Sequence, residues 1–283
     1  MDLALLGSGP ELLAAHASLQ AAGHRIRWMD ARRVEAFPEL RDRPVPISSH
    51  QEAVALGASH ILLVSYGTLI DAVDLERATF LNVHFALLPK YRGYHGLVWS
   101  ILNGETEVGF TLHQVDEGID TGPIYHQARL FLASGEDIND ARTRILEALR
   151  AQLGEAVTRI AEGQRPVPQD RSASTIGARR CPDDGWIDWR WPAMRIANLV
   201  RAVAPPLYPG ALTRWRGRPL TIRRVTQLPN PPFLGPTGRV VDFLGEAAWV
   251  MCGDRMLQVD AVEYDGEVLP PRRVIPRVGS RLG

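Results

Sequence analysis

The chain has little cysteine, a single lysine and no net charge. The cysteine content and the charge each argue against a class of protein. Its two cysteines, Cys181 and Cys252, lie far apart among 283 residues and lack a CxxC or histidine-rich context. We therefore expect neither a disulfide framework nor a metal site. Lysine plus arginine and aspartate plus glutamate number 32 each, so the charge of the whole chain does not favour nucleic acid or an anionic membrane as the main partner.

Long apolar runs are also missing. No stretch approaches the roughly 20 apolar residues of a membrane-spanning helix. The first residues, MDLALLGSGPELL, lack the basic segment of a signal peptide and are typical of the first strand of a fold. The sequence thus predicts a cytoplasmic protein with no membrane partner. Its apolar share of 45% is typical of a globular chain that needs no covalent staple.

The first half of the chain alternates strand and helix patterns. An apolar run at residues 3–6 ends at the turn GSGP, where Leu12 replaces the third glycine of a dinucleotide-binding GxGxxG pattern. Residues 61–65 form a continuous apolar run, as expected for a central parallel strand buried on both faces. Further strand patterns follow at 80–85, 109–115 and 124–132. This order predicts an α/β class with a Rossmann-like, doubly wound N-terminal domain.

The second half changes character. Ser134 is predicted to cap a helix that runs to about residue 160, and the polar, irregular residues 163–184 are interpreted as a linker. Short strand patterns broken by glycine and proline follow from residue 211 onward. We therefore predict a catalytic domain with its linker at 1–183 and a small C-terminal β-barrel-like (OB-like) domain at 184–283.

An amide, an imidazole and a carboxylate stand out as the candidate chemistry. Asn82 and His84 are two residues apart on a predicted strand, so their side chains share a face near the end of that strand. Asp120 ends a segment, residues 116–120, that holds three carboxylates around a glycine. Such groups are the parts needed to move an acyl group between nitrogen atoms. The structural alternative is a surface strand end with two polar residues.

Three consecutive motifs carry a resemblance to a known family. They are N-x-H-x-x-L-L-P-x-Y-R-G, W-x-I-x-N-G-E and G-x-T-x-H-x-V-D-E-G-I-D-T-G, between residues 82 and 122. Together they closely resemble the 10-formyltetrahydrofolate-dependent formyltransferases, whose branches act on methionyl-tRNA, glycinamide ribonucleotide or amino sugars. A weaker match near residues 187–189 and 201–212 resembles the junction to the C-terminal domain of the tRNA and sugar branches.

The resemblance implies a set of roles. Asn82, His84 and Asp120 would be catalytic, N10-formyltetrahydrofolate would be the co-substrate, and no metal would be needed. Asn82 and a protonated His84 would stabilise the oxyanion of a tetrahedral intermediate, and Asp120 would raise the pKa of His84. The folate would contact the following residues: Tyr66, Gly67, Leu88, Val115, Asp116, Glu117 and Gly118.

The formyl acceptor is the part that the sequence specifies least. Residues 94–99, YHGLVW, replace the Ala-Pro-rich segment expected in the tRNA branch, and residues 30–50 lack its basic, glycine-containing element. A primary amine of a small molecule, above all a nucleotide-linked amino sugar, is therefore favoured. Methionyl-tRNA is the alternative, since arginines cluster near the C-terminus. A non-catalytic folate- or nucleic-acid-binding relative is the alternative of another class, and a homodimer stays open.

Overall fold

A computed structural model of the chain describes residues 1–30, 32, 44–229 and 234–283. Residues 31 and 33–43 lie outside the described residues. They make up most of the segment 30–50, whose sequence lacks the basic, glycine-containing element of the tRNA branch. The chain forms two compact units. The first comprises Met1–Leu97, Glu107–Phe131 and Arg142–Ala178, and the second comprises Val98–Thr106, Leu132–Ala141 and Arg179–Gly283. A boundary at 183/184 stays a prediction.

The first unit is built on a seven-stranded sheet with the order β3-β2-β1-β4-β5-β7-β8. Strands β1 to β5 pair in parallel, and β7 and β8 add to this sheet in antiparallel fashion. The predicted Rossmann-like α/β class is thus confirmed. The strands are Asp2–Gly7 (β1), Arg25–Asp30 (β2), Val45–Ile47 (β3), His60–Val64 (β4), Thr79–His84 (β5), Arg92–Gly93 (β6), Glu107–Gln114 (β7), Ile124–Phe131 (β8) and Ile176–Gly177 (β9).

The buried strands of this sheet explain its apolar runs. Ile61 and Val64 on β4 are fully buried, as expected for a central parallel strand with helices on both faces. β1 ends at Gly7, whose φ is +141° and where a Cβ would lie only 1.7 Å from the carbonyl oxygen of Val64. Only glycine can make this turn into the first helix, which has Pro10 in its first turn.

Among the described residues, one helix is much longer than the others. Their bounds are Gly9–Ala21 (α1), His50–Ala55 (α2), Ala72–Arg77 (α3), Gly96–Leu102 (α4), Ile138–Ala161 (α5), Ala193–Ala202 (α6) and Pro271–Val274 (α7). In the part of the chain described, no helix is both long and apolar enough to cross a membrane.

The start of α5 differs from the prediction. Asp137, and not Ser134, caps this helix: its side chain accepts hydrogen bonds from the backbone N–H of Asn139 at 2.7 Å and of Asp140 at 3.3 Å. Asp140 returns the contact by accepting from the Asp137 N–H at 3.1 Å. This reciprocal pair satisfies free N–H groups of the first turn, whereas Ser134 lies in a turn four residues before the helix.

The second unit contains an antiparallel sheet with the order β10-β11-β14-β13-β12, and β15 pairs with β14. The C-terminal β domain expected from the sequence is thus an antiparallel sheet. Leu220, Ile222, Val250 and Leu257 form part of its buried face. The strands are Ala211–Trp215 (β10), Arg218–Gln227 (β11), Val240–Leu244 (β12), Ala247–Met251 (β13), Met256–Tyr264 (β14) and Glu267–Leu269 (β15).

Candidate active site

Asn82 and His84 lie at the carboxyl end of β5, where parallel strands of an open α/β sheet present their side chains to ligands. The two residues occupy alternate positions of the strand, so they point to the same face. β7 runs antiparallel to β5, with His113 opposite Asn82 and Thr111 opposite His84. The sheet pairing therefore places a second imidazole beside the predicted amide.

Asp120 lies in the loop between β7 and β8, and its carboxylate contacts the other polar side chains of the site. Its Oδ1 accepts a hydrogen bond from Asn82 Nδ2 at 3.2 Å, and its Oδ2 accepts from the Gly93 N–H at 2.8 Å. His84 Nδ1 is 3.3 Å from Oδ2, and His113 Nε2 is 3.3 Å from Oδ1. The structure thus brings Asn82 and His84 together around the carboxylate of Asp120, so the three predicted catalytic side chains are in contact. Their roles in catalysis stay predictions.

The electrostatics of Asp120 keep it ionised. Burial alone would raise its pKa, but three effects outweigh burial: the hydrogen bond that His113 donates when it is protonated, the charges of protonated His84 and His113, and the Gly93 N–H. Together they lower the pKa of Asp120 to about 2. At neutral pH the group is therefore a carboxylate, and it can accept a proton or hold a cation in place.

Asp120 raises the pKa of His84, as expected, but the net shift of that pKa is downward. The side chain is buried, and this burial lowers the pKa of His84 by more than Asp120 and the Tyr91 carbonyl raise it. A neutral imidazole is thus favoured near neutral pH, in place of the protonated His84 expected from the sequence. His84 Nε2 lies 2.7 Å from the Tyr91 carbonyl oxygen and Nδ1 faces Asp120. Once protonated, the ring would therefore donate to an acceptor from each nitrogen.

His113 is the residue that reasoning from the sequence left without a role. It is 2% exposed, and its Nε2 lies 3.1 Å from Asn82 Nδ2. Its Nδ1 lies 2.8 Å from the carbonyl oxygen of Gln114, so the neutral ring donates there and presents a lone pair to the Asn82 amide. The two hydrogens of Asn82 Nδ2 are then directed at His113 and Asp120. The motif T-x-H in β7 is the signal for His113 in the sequence. Its place in the site becomes evident only from the pairing of β7 with β5.

Tyr66 and Val115 are predicted folate contacts that share a hydrophobic cluster. Both pack against the buried cluster that includes Leu6, Leu63 and Phe80. The Tyr66 hydroxyl is 3.0 Å from His50 Nδ1, and His50 Nε2 is 3.3 Å from the buried carboxylate of Asp74. Gly67 follows in an exposed loop, and a Cβ there would meet nothing within 4 Å.

The other predicted folate positions differ in exposure. Asp116, Glu117 and Gly118 are exposed in the turn that leads to Asp120, and Asp116 accepts from the Gly118 N–H at 3.1 Å. Leu88 is 2% exposed and belongs to the core. Contacts of these residues with folate stay predictions. Among the residues that the structure describes, no group of three or more His, Cys, Asp or Glu is arranged to hold a metal.

Comparison with known families gives two adjacent matches. Residues 21–157 match the family described as formyl transferase, and residues 181–273 match the C-terminal domain of formyl transferases. Methionyl-tRNA formyltransferase from Synechococcus sp. (strain JA-3-3Ab) is 30% identical over 270 residues, which cover 92% of this chain and 80% of that protein. The enzyme of the same name from Solibacter usitatus is 38% identical over 189 residues, covering 65% of this chain and 59% of that protein.

Solved structures share the fold at lower identity. HypX from Aquifex aeolicus in complex with tetrahydrofolic acid has a TM-score of 0.64 at 18% identity, covering 97% of this chain and 46% of that chain. This chain therefore spans about half the length of HypX. A proposed sugar N-formyltransferase from Mycobacterium tuberculosis has a TM-score of 0.65 at 21% identity, with 82% of this chain and 99% of that chain covered.

Proposed function

The chain belongs to the formyltransferase family, as an enzyme that depends on 10-formyltetrahydrofolate, and on that premise we propose that it formylates the α-amine of methionyl-tRNA. The observation that carries this proposal is the extent of the similarity to methionyl-tRNA formyltransferases, which runs through both family segments. The acceptor favoured from the sequence, a nucleotide-linked amino sugar, is not confirmed and becomes the second candidate.

The site suits a reaction in which one amine replaces another on a formyl carbon. The acceptor nitrogen attacks this carbon with its lone pair, and the carbonyl electrons move to oxygen. Collapse of the intermediate then breaks the bond to N10 of the folate. The attacking amine loses one proton and N10 gains one, so the products are an N-formyl amine and tetrahydrofolate. The protein must therefore stabilise an oxyanion and move a proton.

We assign the proton transfer to Asp120 and His84. Asp120 is ionised and His84 is neutral near neutral pH, so both can accept a proton from the amine as its bond to carbon forms. The imidazolium that results would meet the Tyr91 carbonyl and Asp120. Return of the proton to N10, directly or through one water, completes the exchange. General acid–base assistance of this kind contributes about 10²–10⁴-fold.

Asn82 is assigned to the oxyanion. Its two amide hydrogens point at His113 Nε2 and Asp120 Oδ1. We propose that the oxyanion takes the place of Asp120 Oδ1 as acceptor for one of them, while His113 holds the amide plane through the other. A donor of this kind is typically worth about 2.7–4 kcal/mol in the transition state.

An exposed apolar group beside Asp120 supports an acceptor with an apolar substituent near its amine. Ile119 is 52% exposed, Ile176 is 77% exposed and Tyr94 is 52% exposed. A Cβ on Gly93 would lie 3.7 Å from Ile176 Cγ2 and 3.9 Å from Ile119 Cγ2. Because the N–H of Gly93 donates to Asp120, Ile119 and Ile176 lie beside a residue that contacts the carboxylate. The thioether side chain of a methionyl ester would gain apolar contact there.

The second candidate rests on one feature of the sequence. Residues 94–99, YHGLVW, place an aromatic and an imidazole group just after the loop that contacts Asp120. Tyr94 and His95 have ring centroids 6.4 Å apart and tilted by 40°. Such groups would stack on a nucleotide base, which favours a nucleotide-linked amino sugar.

A direct competition of acceptors tests the proposal. The purified chain is given N10-formyltetrahydrofolate with methionyl-tRNA, with uncharged tRNA, or with a panel of nucleotide-linked amino sugars. We expect formylmethionyl ester only with methionyl-tRNA, at a rate that falls as salt is raised, because a polyanion releases counterions on binding. Turnover of a nucleotide sugar without turnover of methionyl-tRNA would overturn the proposal and establish the second candidate.

A further inference from the structure

The segment interpreted as a linker is bound along the loop that contacts His84. Thr175 Oγ1 accepts a hydrogen bond from the Tyr91 N–H at 2.8 Å, and the Thr175 carbonyl accepts from the Arg92 N–H at 2.9 Å. The short strands β6 and β9 then pair in parallel. The polar side chains that led to the linker prediction therefore bind backbone groups of the site.

Gln169, in the same segment, joins two loops with one side chain. Its Oε1 accepts from Arg92 Nε at 3.2 Å and from Arg92 Nη2 at 2.8 Å. Its Nε2 donates to the carbonyl oxygens of Asp120 at 2.9 Å and of Gly122 at 2.6 Å. Both amide hydrogens and both lone pairs of the oxygen are thus used, so the orientation of this amide is fixed by its partners.

The two loops held by Gln169 set the geometry of the catalytic carboxylate. Asp120 has a φ of +52°, a left-handed conformation that is uncommon outside glycine and needs support from its surroundings. Gln169 binds the carbonyl of this residue. On the other side it binds Arg92, whose neighbours Tyr91 and Gly93 contact His84 Nε2 and Asp120 Oδ2.

We propose that Gln169 is a positioning residue for formyl transfer, which ties the Asp120 loop to the loop of residues 91–93 and so holds the carboxylate at its distance from His84. This inference rests on the proposed function, because the reaction is one of its readouts. A displacement of about 1 Å at a reacting group can cost on the order of 10²-fold in rate. The loss of this tie should therefore reduce kcat more than it reduces the affinity for folate.

The chain contains a matched control. Gln164 makes bonds of the same kind in the same segment: its Oε1 accepts from Arg159 Nε at 3.3 Å and its Nε2 donates to the Tyr125 carbonyl at 2.9 Å. Both glutamines are half-buried. Gln164, however, contacts neither loop of the site. The variants Gln169→Leu and Gln164→Leu therefore remove the same amide group at two places of one segment, only one of which adjoins Asp120.

The experiment compares these variants in the whole chain of 283 residues. For Gln169→Leu we expect kcat to fall by about 10–100-fold, with the folate KM within a few-fold of wild type. We also expect a displaced midpoint for the titration of the His84 imidazole, followed by NMR. Gln164→Leu should change neither quantity. Gln169→Glu keeps an acceptor for Arg92 but loses the donors to Asp120 and Gly122, and it should behave like Gln169→Leu.

The outcomes separate this inference from the proposed function. If wild type prefers a nucleotide sugar, the acceptor proposal fails and kcat is compared on that sugar. If wild type formylates no acceptor, the proposed function fails, and the His84 titration alone decides the role of Gln169. Folded Gln169→Leu or Gln169→Glu with the kcat and His84 midpoint of the Gln164→Leu control would overturn the inference. If Gln169→Leu does not fold, Gln169→Glu supplies both measurements.

Discussion

Replacing Gly96 by alanine would displace the His84 imidazole without removing any polar group of the site. Gly96 begins α4, and a Cβ added there would lie 3.0 Å from His84 Nε2, 2.8 Å from Ala86 Cβ and 3.2 Å from the Phe85 carbonyl oxygen. The φ of Gly96 is outside the left-handed region, so the expected effect is purely steric. Ala86 is 1% exposed, so we expect the imidazole ring to be the part that shifts.

The size of the effect follows from these distances. Non-bonded heavy atoms rest at about 3.5–4.0 Å, so the new methyl group lacks roughly 0.5–1.0 Å toward His84 Nε2 and roughly 0.7–1.2 Å toward Ala86 Cβ. If His84 moves by about 1 Å, it leaves the Tyr91 carbonyl and Asp120, and a displacement of that size costs on the order of 10²-fold in rate. This corresponds to about 2.7 kcal/mol in the barrier. Overpacking should also lower the free energy of unfolding by about 1–3 kcal/mol.

The assay measures release of tetrahydrofolate under saturating donor and acceptor, beside a thermal unfolding curve. Gly235→Ala is the control, since a Cβ there would make only an ordinary contact of 3.5 Å with Met251 Cγ. We expect Gly96→Ala to lose about 10–100-fold in kcat and the control to be unchanged. A folded Gly96→Ala protein with a kcat within about twofold of wild type would refute the placement of His84.

Further predictions concern the site and three histidines whose pKa is lowered. Asp120→Asn and His84→Ala should each lower kcat by about 10²-fold or more, while folate binding measured by calorimetry stays within a few-fold; near-normal turnover would contradict their assignment. Asn82→Ala should cost about 10²–10³-fold in kcat, and a smaller loss would exclude it as an oxyanion donor. Burial lowers the pKa of His16, His84 and His126. The unfolded chain, with histidines near about 6.5, then binds more protons, so the free energy of unfolding falls as pH drops below that value, by up to about 1.4 kcal/mol per pH unit and histidine. Urea unfolding at neutral and mildly acid pH measures this, and equal free energies would contradict it.

The placement of Asn82 and His84 could be predicted because it depends on local periodicity. Residues two apart on a strand share a face, and the apolar run of residues 61–65 identifies the neighbouring buried strand. The participation of His113 could not be predicted in this way. It depends on β7 lying antiparallel to β5 with His113 opposite Asn82, and such a non-local pairing leaves no periodic signal in either segment.

Burial and backbone contacts account for the other differences. The sequence shows that Asp120 can raise the pKa of His84, but the opposing effect depends on how deeply the ring is enclosed. Residues 163–184 look like a linker by composition, yet the amide of Gln169 binds two backbone carbonyls near the site. At α5, Ser134 and Asp137 are both good capping residues, and only the partners of the first backbone N–H groups distinguish them.

Transfer of a labelled formyl group tests the central claim most directly. Wild type and Asp120→Asn are each supplied with N10-formyltetrahydrofolate that carries ¹⁴C in the formyl group, together with methionyl-tRNA, and the label is followed to the amine. We predict that wild type moves the label to methionine and releases one tetrahydrofolate for each formyl group, and that Asp120→Asn does so at least about 10²-fold more slowly. Label that stays on the folate with every amine offered, or equal rates in the two proteins, would contradict the account.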